Sequence, residues 1–104
     1  PRKMLPQLDL TPTQLALVQQ VLQQQVPRAR AMAFGSRVTG KARRFSDLDL
    51  AIHAPEPLDW RTLARLREAF EASDLDICVD LVDWAQTTDG FRQAVLATPT
   101  VWLD

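Results

Sequence analysis

Ten residues separate Gly35-Ser36 from Asp47-Leu48-Asp49, and this spacing constrains the fold more than any other feature of the chain. Gly35-Ser36 makes a tight turn bearing a hydroxyl, just ahead of a short helical or looped segment. The two carboxylates then stand at the start of an apolar run, Leu48-Asp49-Leu50-Ala51-Ile52. Side chains i and i+2 of a strand share a face, so Asp47 and Asp49 are expected to project together. Paired carboxylates facing a phosphate-binding turn are what magnesium-dependent phosphoryl chemistry requires. Four fixed residue types, each at a background usage of roughly 5–7%, match by chance about once in a thousand chains of this length. Asp-x-Asp alone would carry no such weight.

A third carboxylate lies further along the chain. The run Ile77-Cys78-Val79-Asp80-Leu81-Val82 is rich in β-branched and apolar residues and reads as a buried strand. An unpaired carboxylate in a buried strand is costly, so Asp80 calls for a metal or an incoming hydroxyl proton to compensate it. The alternative is an edge strand with Asp80 facing water. Asp76 shares the parity of Asp80 and is the fallback third ligand. Asp83 has the opposite parity and is expected to end the strand or cap the next element.

The 104 residues predict one domain spanning 1–104, with enough apolar character (46%) for an ordinary core. A net charge of −1 gives no electrostatic case for a nucleic-acid partner. No apolar stretch approaches transmembrane length and no signal peptide is evident, so neither a membrane nor export is expected, and the cytoplasm is the default location. The single cysteine, Cys78, reads as a small buried hydrophobe. The single histidine, His53, excludes a histidine-based metal cluster and reads as a strand-end polar residue. Trp60, Trp84 and Trp102 read as core or partial-core residues.

Thr11-Pro12-Thr13-Gln14 carries an N-cap, a first-turn proline and a capping box, and opens a helix that Pro27 closes. Arg30–Phe34 predicts a strand, Ser36 a short helix stopped at Gly40, and Asp47–Ile52 a second strand. Asp59 caps a helix running to about Ala72, with Leu63, Leu66 and Phe70 inward. Asp76–Val82 predicts a third strand, and Thr88 or Asp89 a last helix burying Phe91 and Val95. Residues 100–103 read as a short final strand or a tail. The order is α-β-α-β-α-β-α, an α/β fold with helices packed on a sheet.

Gly35-Ser36, Asp47-x-Asp49 and Val79-Asp80-Leu81 together resemble the DNA polymerase β-like nucleotidyltransferase superfamily, and within it the minimal nucleotidyltransferases (MNT). The stretch FGSRVTGKARRFSDLDLAI looks like that family's signature almost throughout, and CVDLVDWAQTTDGFRQAVL resembles its third-carboxylate segment and the helix after it. The resemblance implies a mixed sheet packed by helices and transfer of AMP from ATP, with release of pyrophosphate. Asp47 and Asp49 are then catalytic carboxylates and ligands of two Mg²⁺ ions, joined by Asp80, which also helps remove the acceptor proton. Gly35, Ser36 and Arg37 are expected to bind the nucleotide, and among Arg37, Lys41, Arg43 and Arg44 one or two would neutralise the leaving pyrophosphate, Arg37 first.

The chain carries the catalytic core and little that could bind an acceptor. MNT proteins act as antitoxins in hetero-oligomers with HEPN-domain RNase toxins, transferring AMP to a toxin tyrosine hydroxyl. That partner and reaction are the expectation here. The competing readings are a non-catalytic antitoxin that works by occlusion, and a small-molecule nucleotidyltransferase completed by a helical subunit.

Overall fold

The protein was analysed as a computed structural model that describes residues 8–103; the ends of the expected 1–104 domain, residues 1–7 and 104, lie outside the described residues. The chain runs α1 (Pro12–Gln25), β1 (Arg30–Phe34), α2 (Ser36–Thr39), β2 (Leu48–His53), α3 (Trp60–Ala72), β3 (Val79–Asp83), a 3₁₀ turn (Trp84–Gln86), α4 (Asp89–Leu96) and β4 (Val101–Trp102). The ambiguous tail is therefore a strand. Its backbone pairs with β1, placing Met32 opposite Trp102 and Ala33 opposite Val101.

The sheet is mixed, in the order β3-β2-β1-β4. β1 and β2 are antiparallel, with Phe34 opposite Asp49. β2 and β3 are parallel, with Asp49 beside Asp80, as expected when a helix, here α3, carries the chain back across the sheet. Alternation along the strands divides the core in two. Ala31, Ala33, Leu48, Leu50, Ile52 and Leu81 pack with Val18 and Val21 of α1 and with Leu66 and Phe70 of α3. Met32 and Ala51 face the other way and pack with Val95 of α4, Phe34, Val82 and Trp84. Asp49 shares the parity of Ala51, so it belongs to this second, thinner side.

Local sequence explains the element ends. Thr11 accepts from the Gln14 amide at 3.1 Å while Gln14 Oε1 accepts from the Thr11 amide at 3.0 Å, a complete capping box. Gly40 ends α2 in the left-handed conformation, φ +83°. Asp59 caps α3 through the Arg61 amide.

Five expectations are corrected. β3 starts at Val79 rather than Asp76. Because Ile77 and Cys78 precede the strand, apolar alternation overstated its length, and Cys78 is exposed. β3 is an edge strand, and Asp80 is exposed rather than buried. Trp60 lies at the solvent-facing start of α3, 71% exposed, and Phe91 of α4 is only partly covered. Asp83, by contrast, behaves as its parity predicts. It is buried and accepts from the Leu58 amide (2.8 Å), the Gln86 side chain (2.7 Å) and the Ala85 amide (3.2 Å), ending β3 and capping the next turn.

Candidate active site

The turn after β1 is built on Gly35, whose φ of +82° and ψ of −156° fall in a region essentially confined to glycine. A Cβ at this position would overlap Asp49 Oδ2 and lie 3.1 Å from Asp49 Cγ. Gly35 therefore lacks a side chain for two reasons at once. One is backbone conformation, and the other is the close approach of the Asp49 carboxylate to the turn. The Gly35 carbonyl accepts from the amides of Val38 and Thr39, both at 3.0 Å, which starts α2 with Ser36 at its first position.

Asp47 immediately precedes β2, and Asp49 is its second residue. Asp80 sits beside Asp49 in the parallel register. The three form one electrostatic unit. Asp49 is pushed up to about 6 by burial first, then by the charge of Asp80, then by that of Asp47. Asp47 and Asp80 are exposed. Among the described residues no three carboxylates, cysteines or histidines are already gathered as a metal cluster. Asp49 and Asp80 stand side by side across the parallel strand pair, and Asp47 adds its charge to the same field. A half-buried carboxyl held up by two anionic neighbours, next to a turn with no side chain, is a donor set suited to a hard divalent ion such as Mg²⁺.

Asp76 does not belong to this set. It lies ahead of β3, accepts from Gln14 Nε2 at 2.9 Å, and is held below its ordinary value chiefly by that bond. It fastens α1 to the segment leading into β3.

Arg37 differs from expectation. Its side chain is buried, 4% exposed, and is spent on backbone carbonyls. Nε donates to Ser46 O (2.9 Å), Nη1 to Asp9 O (2.8 Å), and Nη2 to Arg44 O (3.0 Å) and Arg43 O (3.4 Å). The Asp9 amide returns a bond to Arg37 O at 2.7 Å. The guanidinium is the internal strut of the loop from residue 40 to 47, not a phosphate ligand, and only the Arg37 backbone stays with the turn. Proximity to Ser36 in sequence pointed to phosphate because burial is invisible in a spacing. Ser46, passed over in the sequence, tightens the same loop by accepting from the Arg43 amide at 2.8 Å. A serine three residues after the amide it caps was the available signal.

At the far end of the same sheet face, His53 stacks on Trp84 (centroids 4.9 Å apart) and meets Trp102 edge-on (4.7 Å). Its Nε2 is buried with no hydrogen-bond partner, and burial, Arg30 and Arg92 hold the imidazole below its ordinary value, in that order. His53 is a packed neutral ring, consistent with a strand-end residue.

Comparison with known proteins agrees with this fold. The family described as "Polymerase beta, Nucleotidyltransferase" matches residues 17–103. A probable protein adenylyltransferase MntA of Haemophilus influenzae is 54% identical over 89 residues, 86% of this chain and 78% of that protein. A crystal structure of a toxin-antitoxin with AMP-PNP superposes with a TM-score of 0.72 at 30% identity, covering 86% of this chain and 72% of that one. A structure of tri-AMPylated Shewanella oneidensis HEPN toxin in complex with MNT antitoxin superposes with a TM-score of 0.66 at 26% identity, covering 88% and 70%.

Proposed function

The chain belongs to the polymerase β nucleotidyltransferase family, and on that premise we propose that it is an antitoxin enzyme that transfers AMP from ATP to a tyrosine hydroxyl of a HEPN-domain RNase toxin, inactivating the toxin. The observation that carries the reading is the coupled trio Asp47, Asp49 and Asp80 set against the side-chain-free turn at Gly35. The 54% identity to a probable protein adenylyltransferase supports the reaction. The toxin-antitoxin complexes, one holding AMP-PNP and one an AMPylated toxin, support the nucleotide and the partner.

In the proposed reaction the tyrosine oxygen forms a bond to the α-phosphorus. The bond from that phosphorus to the bridging oxygen breaks, and pyrophosphate leaves with the electron pair. Asp47 and Asp49 would hold two Mg²⁺ ions, with Asp80 sharing the one on the acceptor side. When bound, Mg²⁺ supplies neutralisation of the triphosphate charge and acidification of the attacking hydroxyl.

The remaining work falls to the chain. Asp80, exposed on its edge strand, takes the proton of a hydroxyl whose free pKa is near 10. Gly35 lets the phosphate chain approach the backbone, and Ser36 Oγ donates to its oxygens. Lys41, Arg43 and Arg44 make the neighbouring loop basic and favour pyrophosphate as it departs.

Intact-mass analysis of a HEPN toxin incubated with this chain, ATP and Mg²⁺ tests the proposal. The expected result is a toxin heavier by one or more AMP groups, with no gain when Asp47 and Asp49 are both replaced by alanine. A stable complex with no gain in mass would replace catalysis by occlusion.

A further inference from the structure

We infer that Phe45, presented on the loop from residue 40 to 47, is the anchor by which this chain grips the protein whose hydroxyl it modifies. The inference rests on the function proposed above.

Phe45 is the most exposed large hydrophobic side chain among the described residues, at 74%. The ring has one close cationic companion, with the Arg44 guanidinium 5.2 Å from its centroid. Aromatic residues, phenylalanine among them, and arginine are enriched in the cores of protein interfaces.

The loop beneath the ring is held from inside. The Arg37 guanidinium bonds to the carbonyls of Arg43, Arg44 and Ser46, on both sides of Phe45, and Ser46 Oγ accepts from the Arg43 amide. A protruding side chain on a braced loop loses little backbone freedom on docking, and so retains more of its contact energy as affinity.

Position supplies the rest. Phe45 is two residues before Asp47 and four before Asp49. A protein that delivers a hydroxyl to those carboxylates docks beside this loop. A pocket in a protein surface would cover the ring on every side, whereas a nucleotide base would meet only one face of it by stacking. Lys41, Arg43 and Arg44 of the same loop are all exposed, so the complementary surface is an apolar cleft with an acidic rim.

The test uses the whole chain carrying Phe45→Ser or Phe45→Tyr, with an unmodified HEPN toxin as probe. Toxin binding is measured without ATP, and KM is measured separately for toxin and ATP. Phe45→Ser should weaken toxin binding and raise the toxin KM at least tenfold. It should leave the ATP KM within twofold and the thermal midpoint unchanged, and Phe45→Tyr should restore most of the loss. An unchanged toxin affinity overturns the inference, and so does a rise in the ATP KM alone, which would make Phe45 a nucleotide contact. Because binding is read without ATP, a toxin that binds through Phe45 but is never AMPylated would sink the proposed reaction and leave the anchor standing. A wild-type chain that binds no toxin would sink both.

Discussion

At the residue scale the site turns on the meeting of Gly35 with Asp49. Alanine at Gly35 would have to leave the φ +82° conformation and displace the Asp49 carboxylate. Gly35→Ala is expected to cost about 1–3 kcal/mol of stability in backbone strain, and to lower single-turnover AMP transfer by about a hundredfold because the carboxylate moves. Transfer at the wild-type rate would remove the close approach from the mechanism. Asp49 also makes stability depend on pH. Its carboxyl is raised from 3.8 to about 6, so the folded metal-free chain keeps a proton that the unfolded chain gives up. Its contribution is complete below pH 3.8 and is lost as pH rises through about 6. His53 acts in the opposite sense. Its folded value is lowered, so its contribution is present above pH 6.5 and is lost as pH falls through that lowered value. Comparing urea midpoints of wild type and Asp49→Asn in EDTA from pH 4 to 7 cancels the histidine. Wild type should lose stability relative to the variant as pH rises, and parallel curves would refute the assignment.

At the scale of elements, β3 carries two aspartates with opposite duties. Asp80 is exposed beside Asp49, whereas Asp83 is buried and accepts three hydrogen bonds. Asp83→Ala should cost roughly 1–3 kcal/mol in a thermal or denaturant melt by stranding the Leu58 and Ala85 amides, with transfer by the folded fraction largely kept. Asp80→Asn should do the reverse, keeping or slightly raising the metal-free melt, because a charge beside Asp49 is removed, and abolishing transfer. Much of this layout was legible in the sequence. Thr11, Pro12 and Gln14 announce α1, Asp59 announces α3, and the two-residue spacing puts Asp47 and Asp49 on one side of β2. The features that stayed hidden depend on neighbours in space. Whether β3 lies inside the sheet or at its edge decides the exposure of Asp80 and the end of the strand near Cys78, and a parity count cannot see the adjacent strand. The burial of Arg37 was hidden for the same reason, since the carbonyls it serves come from Asp9 and from a loop without periodicity.

At the scale of the whole molecule, the two sides of the sheet are unequally covered. Among the described residues, α1 and α3 fill one side with the larger part of the core, while the side bearing Asp49 carries α4, the 3₁₀ turn and a smaller apolar cluster. Coordination there should therefore be felt globally, because three mutually repelling carboxylates are relieved at once. Mg²⁺ is expected to raise the thermal midpoint of the wild-type chain by a few degrees, an increase that saturates with concentration. Asp47→Asn/Asp49→Asn should start with a higher metal-free midpoint and show no increase. An equal Mg²⁺ effect on both proteins would mean that the ion binds elsewhere.

The Arg37 strut also has a bearing on chain length. One planar guanidinium contacts carbonyls 43, 44 and 46, so the loop between the turn and the carboxylates is measured against a rigid gauge. An added or deleted residue within 41–46 would leave a buried N–H group unmatched, at a cost of about 1–3 kcal/mol, and would shift Asp47 out of reach of its partners. Insertion of a single glycine after Ala42 should thus be poorly tolerated in a selection for toxin neutralisation. The same insertion after Glu56, in the turn between β2 and α3, should pass. Survival of both would show that the gauge is not read. The interval of ten residues is, on this account, a length set by the side chain of its first residue.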